Sequence, residues 1–244
     1  MIGRKHGSQW ARWKRSAGSA NYQRANADPG GLGTSFPTAV PVKGSYDGGM
    51  KRFERNLCQD QTETGEKDAM FILEDGATLS NVIIGASQAE GVHCKGTCTL
   101  NNVWWADVCE DAVTLKQASG TSYINGGGAF HASDKIIQFN GRGTVKVKDF
   151  YAEDYGKLSR SCGNCKDNGG PRNVVIENSV AVDGGVLCGI NTNYGDTCTI
   201  KNSCQNKGKY CDRYEGNSSG KEPTKIGSGP DGVYCVTSGV TTSC

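Results

Sequence analysis

A short pattern recurs along this chain, first as Leu79-Ser80-Asn81-Val82 and, 21 residues later, as Leu100-Asn101-Asn102-Val103. Its order is an apolar residue, any residue, and then Asn or Asp, often followed by another apolar residue. Later copies are Ile124-Asn125 (a weaker one), Val147-Lys148-Asp149-Phe150, Ile176-Glu177-Asn178-Ser179 and Ile200-Lys201-Asn202-Ser203. A period of about 20–30 residues is typical of a solenoid, in which each repeat forms one coil.

The repeat units have the composition of β-strands. They are rich in Val, Ile, Thr and aromatic residues, are bounded by glycine or polar residues, and lie at 77–85, 98–108, 144–152 and 172–183. Helical periodicity is nearly absent. We therefore predict an all-β fold, a right-handed single-stranded parallel β-helix, with a ladder of Asn side chains at one corner. A β-sandwich is the alternative, but the Asn-Gly pairs at 125–126, 140–141 and 168–169 do not join matched strands.

Composition limits the class of protein. The 244 residues carry a net charge of +2, and they contain no apolar run of the ~18–20 residues that would span a bilayer. Twelve scattered cysteines lack the spacing of a zinc site and indicate structural disulfides, with Cys94–Cys98 as one local staple. We expect an extracellular, secreted monomer that binds neither nucleic acid nor membrane.

The charge divides the chain unevenly. Residues 1–55 hold 10 basic and 3 acidic groups, whereas residues 56–244 hold 17 and 22. We interpret residues 1–35 as a basic, disordered or atypical N-terminal segment and residues 36–244 as the β-helix domain. The first 24 residues lack the apolar core of an ordinary signal peptide.

The repeat also predicts which residues lie together on the outer surface, because residues at equal distances from successive corners should stack; we call this comparison of offsets the ruler. Glu90 follows Asn81 by nine residues, and Asp111 follows Asn102 by nine. Equivalent offsets on successive coils place side chains about 4.8 Å apart on one face. The ruler predicts one surface that carries Glu90, Glu110, Asp111, Asp134, Lys135, Lys157 and Arg160.

Acids followed by amines suit one kind of chemistry. Carboxylates from adjacent coils are hard oxygen ligands of the kind that Ca²⁺ prefers, although a solvated acidic patch is an equally good interpretation of composition alone. A bound cation would draw in the carboxylate of an acidic sugar and acidify its C5 proton. A Lys or Arg nearby could then remove that proton, and cationic neighbours would stabilise the resulting enolate-like species.

Four blocks resemble the small pectate lyases of polysaccharide lyase family 3. They are Gly91-Val92-His93-Cys94-Lys95-Gly96-Thr97-Cys98, Cys109-Glu110-Asp111-Ala112-Val113-Thr114-Leu115-Lys116, Ser133-Asp134-Lys135-Ile136-Ile137-Gln138 and Tyr155-Gly156-Lys157-Leu158-Ser159-Arg160-Ser161-Cys162. The resemblance runs from about Phe36 to about Cys244. It implies a secreted, Ca²⁺-dependent, single-domain parallel β-helix that cleaves polygalacturonate, the backbone of pectin, by β-elimination.

The resemblance also implies roles for individual residues. Glu90, Glu110 and Asp111 would be the calcium ligands, although some family members have Asp where this chain has Glu90. Lys135, Lys157 and Arg160 would be catalytic, with Lys135 favoured as the base and Arg160 held open. The residues that would line the same groove and bind substrate are Lys116, Glu63 and Asp107.

Two other functions stay open at this point. A β-helix hydrolase of the polygalacturonase type would use two or three carboxylates without a metal, and the amines beside the acids speak against it. A non-catalytic pectin-binding β-helix would bind the polymer without turnover. We expect His93 to be a structural, hydrogen-bonded residue.

Overall fold

The computed structural model describes residues 33–55, 58 and 64–244. Two 3₁₀ turns, Glu66–Asp68 and Thr192–Tyr194, interrupt a structure otherwise built from strands. The strands are β1 (Thr34–Ser35), β2 (Val40–Val42), β3 (Ser45–Glu54), β4 (Ala69–Leu73), β5 (Ala77–Ile84), β6 (Glu90–Cys94), β7 (Cys98–Trp105), β8 (Asp111–Leu115), β9 (Thr121–Phe139), β10 (Gly143–Lys148), β11 (Tyr151–Ser161), β12 (Arg172–Glu177), β13 (Val180–Val182), β14 (Val186–Asn191), β15 (Thr197–Lys201), β16 (Cys204–Gln205), β17 (Cys211–Glu215), β18 (Thr224–Ser228) and β19 (Cys235–Ser238).

The strands form coils stacked in parallel, because every strand except β18 pairs with a strand that occupies the equivalent place on an adjacent coil. Thus β4 pairs with β6, β6 with β8, and β5 with β7. We call one resulting sheet the site-bearing stack: β2, β4, β6, β8, the second halves of β9 and β11, β14 and β17. The predicted all-β parallel β-helix is confirmed.

The apolar residue that begins each copy of the repeat belongs to a file of aliphatic side chains, that is, a column stacked from coil to coil inside the β-helix. The register pairs the first residue of each copy with its counterpart on the next coil. All are at most 1% exposed: Leu79, Leu100, Ile124, Val147, Ile176 and Ile200. Burying one such side chain stabilises the fold by about 1.5–3 kcal/mol, so the file forms a continuous core along the axis.

The Asn or Asp of each repeat occupies a sharp corner with a left-handed backbone. Asn81, Asn102, Asp149, Asn178 and Asn202 all have φ between 48° and 56°, a conformation that Asn and Asp tolerate better than other side chains. The predicted amide ladder forms between the first two, where Asn102 Nδ2 donates to Asn81 Oδ1 at 2.9 Å.

The copy of the repeat predicted at Ile124-Asn125 is one residue out of alignment with the others. Asn125 lies opposite Asn101, not Asn102, so the corner of that coil is Gly126, with φ of 66°. Glycine reaches this conformation without strain, which is why the Asn signal is missing there. Counted from Gly126, Lys135 rather than Asp134 stands nine residues after the corner, as Asp111 does after Asn102.

Disulfides fasten the coils together, as the cysteine count predicted. All twelve cysteines are paired: Cys58–Cys109, Cys94–Cys98, Cys162–Cys165, Cys188–Cys198, Cys204–Cys244 and Cys211–Cys235. This usage fits an oxidising, extracellular setting. Among the described residues, no helix has the length and apolar character to cross a membrane. The basic N-terminal segment of the prediction lies almost wholly outside the described residues.

The stacking predicts unequal effects at two glycines that both have positive φ. A Cβ at Gly127 would overlap the carbonyl oxygen of Val103 on the coil before it, whereas a Cβ at Gly76 would meet nothing within 4 Å. Gly76→Ala should therefore cost about 1–2 kcal/mol, from backbone strain alone, and Gly127→Ala should cost at least about twice that. Urea unfolding of both variants measures the difference, and equal losses would contradict the close approach of the coils.

Candidate active site

The register of the site-bearing stack places acids and amines in one file. Asp111 lies opposite Lys135, and Lys135 lies opposite Lys157 on the following coil. The pairing of Val92 with Val113 extends back by two residues to put Glu90 beside Asp111. A shift of register between Tyr155 and Lys157 absorbs one residue. Glu90, Asp111, Lys135 and Lys157 thus occupy one position on four successive coils. The offsets predicted that these residues share a surface, but they aligned Asp134 rather than Lys135 with Asp111.

The amine of Lys135 lies among three carboxylates. Its Nζ is 3.4 Å from Asp111 Oδ1, 3.8 Å from Glu110 Oε1 and 2.5 Å from Asp134 Oδ2. The other oxygen of Asp134 accepts a hydrogen bond from Lys157 Nζ at 3.1 Å. Asp134 therefore bridges the two lysines, a role that the sequence prediction did not assign although Asp134 stood on the predicted surface.

These contacts shift the pKa values of the cluster in opposite directions. Burial alone would lower the pKa of Lys135, but the charges of Asp111, Asp134 and Glu110 outweigh it and raise that pKa above its ordinary range. Burial would likewise raise the pKa of Asp134, but its hydrogen bonds and charge interactions with Lys135 and Lys157 lower it. The raised pKa keeps Lys135 protonated, and the lowered pKa keeps Asp134 ionised, at neutral pH.

Glu90 belongs to the same file, but its carboxylate is turned to other partners. Oε1 accepts hydrogen bonds from the backbone amides of Gly65 at 2.8 Å and Thr64 at 3.2 Å, and Oε2 accepts one from His93 Nε2 at 2.8 Å. Burial would raise the pKa of Glu90, but these bonds outweigh it and lower the pKa. The predicted hydrogen bond of His93 is confirmed, and its structural role stays a prediction.

Arg160 lies three residues beyond Lys157 on β11 and is only 7% exposed. Its Nη1 donates to Ser161 O at 2.7 Å, to Asn191 Oδ1 at 3.0 Å and to Gly189 O at 3.3 Å. Burial lowers the pKa of Arg160, against the opposing charges of Asp196 and Asp134 among others. Asp134 thus contacts Lys135 and Lys157 directly and acts on Arg160 only as the weakest of several charges.

Side chains from the next two coils hold Arg160 in place. The guanidinium carbon lies 4.1 Å from the centre of the Tyr214 ring, a cation–π contact. Glycine at 189 leaves the space, since a Cβ there would come within 2.6 Å of Arg160 Cδ. Sequence analysis missed Tyr214 and Asn191. These two residues lie opposite each other, two positions beyond Gly189 and Asp212, the register partners of Arg160, so equal offsets along the coils do not identify them.

The three predicted substrate-binding residues fare differently. Lys116 follows β8 and forms an ion pair with Glu66, 3.2 Å from Nζ to Oε2. Burial raises the pKa of Asp107, whose charged neighbours are His131 and Asp154 rather than the lysine cluster. Glu63 lies outside the described residues, so its role stays a prediction.

The donor set suits a divalent cation. Glu110 and Asp111 are each 3% exposed. Together with Asp134 they direct carboxylate oxygens, which are hard ligands, towards the Lys135 amine. Glu90 stands on the adjoining coil with its orientation set by His93. The arrangement fits Ca²⁺ chemically, and the assignment of Glu90, Glu110 and Asp111 as its ligands remains a prediction.

The fold and the site together define a parallel β-helix with a buried acid–amine cluster in an outer groove. The family model for pectate lyases matches residues 24–221 of the chain. The chain is 50% identical over 213 residues to pectate lyase E of Emericella nidulans, across 86% of this chain and 83% of that protein. It is 54% identical over 186 residues to a probable pectate lyase F of Aspergillus fumigatus, across 75% and 79%.

Solved structures give the same result. The catalytic domain of pectate lyase PelI from Erwinia chrysanthemi matches with a TM-score of 0.73 at 33% identity, over 85% of this chain and 99% of that one. PelI in complex with tetragalacturonic acid matches with a TM-score of 0.68 at 32% identity, over 85% and 68%. The chain belongs to the pectate lyase family, consistent with the predicted family 3.

The cluster makes a prediction about stability. Lys135→Met should lower the free energy of unfolding of the metal-free protein by about 3 kcal/mol at pH 7, because it leaves buried carboxylates without their cation. The pKa values of those carboxylates would then rise, so the loss should shrink as the pH falls and they become protonated. Lys157→Met is the matched control and should lower the free energy of unfolding by under about 1 kcal/mol. Lys157 is more exposed than Lys135, and Asp134 is the one carboxylate of the cluster with which it forms an ion pair.

Urea unfolding with a chelator present, at neutral and at acidic pH, measures both effects. Equal losses for the two variants, or a Lys135→Met loss that does not depend on pH, would contradict the charge cluster.

Proposed function

We propose that this chain is a secreted, Ca²⁺-dependent lyase that cleaves α-1,4-linked polygalacturonate by β-elimination, leaving 4,5-unsaturated oligogalacturonides. The observation that carries the proposal is the convergence of Glu110, Asp111 and Asp134 on the Lys135 amine, with Lys157 and Arg160 on the next coil. Membership of the pectate lyase family and the likeness to a structure that contains tetragalacturonic acid support this substrate class.

The chain's own residues supply each part of an elimination. A base takes the proton from C5 of a galacturonate, the C5–H electron pair becomes the C4=C5 double bond, and the bond from C4 to the glycosidic oxygen breaks. The leaving oxygen takes up a proton, and no water is consumed. Lys157 and Arg160 would hold the substrate carboxylate and stabilise the negative charge that develops on it.

The proposed calcium site explains how these groups could act. When bound to Glu110 and Asp111, Ca²⁺ would supply charge neutralisation of these acids and of the substrate carboxylate. Lys135 owes its raised pKa to its acidic neighbours. Once their charges are compensated its pKa would fall, because burial then dominates, and the amine becomes a credible base in alkaline solution.

The experiment that tests this function is an assay for the unsaturated product. With polygalacturonate and Ca²⁺, the ultraviolet absorbance of the new conjugated double bond should rise, and a chelator should abolish the rise. Asp111→Asn should need a higher Ca²⁺ concentration for half-maximal activity, because one hard, charged ligand is lost. Product formation that is indifferent to the chelator, or an unchanged Ca²⁺ requirement in Asp111→Asn, would contradict the proposal.

The same reaction, assayed also for reducing ends, separates the two alternatives. A hydrolase would release reducing ends without the chromophore, but it needs a carboxyl group kept protonated as the acid. The pKa of Asp134, inside the cluster, is lowered, and Asp107, whose pKa is raised, has other neighbours. A pectin-binding protein without activity would bind the polymer and release neither product.

The identity of the base makes a further prediction. Lys135→Ala should lower kcat by about 10²–10⁴-fold, the usual contribution of a positioned base. Arg160→Lys keeps the charge and should retain more activity. If Arg160 were the base instead, that change would replace a guanidinium by an amine of lower pKa and move the alkaline rise of kcat to lower pH. Near-normal kcat in Lys135→Ala, with a shifted pH profile in Arg160→Lys, would transfer the role to Arg160.

A further inference from the structure

The groove continues past the lysine cluster into a cleft of about 520 Å³. We call it the C-terminal cleft, and its lining includes Lys157, Val186, Lys209, Tyr210, Asp212 and Lys225. Its volume is in the range of sites for small organic ligands and is far larger than a single ion needs. Lys157 belongs both to this cleft and to the cluster, so the two are continuous.

The register shows that the cleft prolongs the file of charged positions. Lys157 lies opposite Val186, and the pairing of Cys188 with Cys211 places Val186 beside Lys209. Lys135, Lys157 and Lys209 therefore stand at one position on the first, second and fourth of four successive coils. At about 4.8 Å per coil, Lys209 is about 14 Å from Lys135 along the axis.

One wall of the cleft leaves the parallel stack. The strand β18 pairs antiparallel with β17, unlike every other strand pairing within the described residues. This excursion brings Lys225 to Asp212, with Nζ 2.8 Å from Oδ1, and the Ser228 hydroxyl donates to the same oxygen. The wall is thus held by its own contacts.

The charge of the cleft is positive. The ammonium of Lys225 compensates Asp212, and Asp134 takes up the charge of Lys157. Lys209 is exposed, and among the described residues it forms no ion pair. A cation in a concave site suits a ligand that carries an anionic group.

We propose that the C-terminal cleft is an additional binding subsite for the acidic sugar chain, in which Lys209 binds a uronate carboxylate several sugars away from the bond that is cleaved. The ligand class rests on the proposed function. A polyuronate carries a carboxylate on every sugar, and the stacked coils carry a cation at intervals along the same axis. Lys209 consequently sets a preference for long substrates and takes no part in the chemical step.

The test compares Lys209→Gln with Lys207→Gln, a control that removes the same charge from the same turn outside the cleft. With polygalacturonate, Lys209→Gln should raise KM about three- to tenfold, the size of one charge-assisted contact at an exposed site, and leave kcat unchanged. With trigalacturonate, which is too short to reach from Lys135 to Lys209, KM should not change. Added salt should weaken the effect, and Lys207→Gln should have none.

Three results would overturn the subsite: no change of KM in Lys209→Gln, an equal change in Lys207→Gln, or an equal change with trigalacturonate. If the wild-type protein forms no unsaturated product, the proposed function fails, and calorimetric titration with hexagalacturonate in the same buffer decides the subsite separately. Weaker binding in Lys209→Gln than in both other proteins would retain the cleft as a binding site. Equal binding by all three, or binding by none, would overturn it.

Discussion

Register between stacked parallel strands is the constraint on which the rest of this structure depends. Residues two dozen positions apart in sequence become neighbours about 4.8 Å apart only because each coil repeats the path of the one before it. The aliphatic file from Leu79 to Ile200 fixes that register from inside, and left-handed corners such as Asn81 and Asn102 fix where each coil turns. A slip of one residue would send the core residues outward and would separate Asp111 from Lys135.

The stacking also explains how the site can hold so much buried charge. Glu110 and Asp111 are almost inaccessible, and isolated carboxylates at such positions would be strongly disfavoured. The next coil supplies Lys135, and the loss of solvation is offset by ion pairs and by the hydrogen bonds around Asp134. Arg160 is buried in the same manner, among carbonyl oxygens and against the Tyr214 ring.

Much of this arrangement could be predicted from sequence, since a repeat carries its own register. The spacing of Leu79, Leu100 and their successors was sufficient for the fold. The offsets from the corners predict one surface for Glu90, Asp111 and Lys135, although they align Asp134 rather than Lys135 with Asp111. The misalignment at Asn125 has a physical cause: glycine occupies that corner, so no Asn or Asp marks it, and the pattern points to the neighbouring asparagine instead. Counting from the apolar residue of the repeat would have avoided it.

Other features were beyond a repeat-based argument. The bridging of two lysines by Asp134 depends on where its side chain turns, and the wall formed by β18 arises from a departure from the repeat. The carboxylate of Glu90 faces His93 and the Thr64–Gly65 amides, contacts that no spacing rule foresees. The pairing of the cysteines, beyond the local Cys94–Cys98, likewise follows from coil geometry.

The most direct test of the account is a crystal structure of this chain with Ca²⁺ and trigalacturonate bound. The account predicts electron density for a metal ion bound by the carboxylates of Glu110 and Asp111 and by a uronate group. C5 of that sugar should lie close enough to a nitrogen of Lys135 or Arg160 for transfer of its proton. Metal and sugar on another face of the coils, for example beside Asp107, His131 and Asp154, would contradict it.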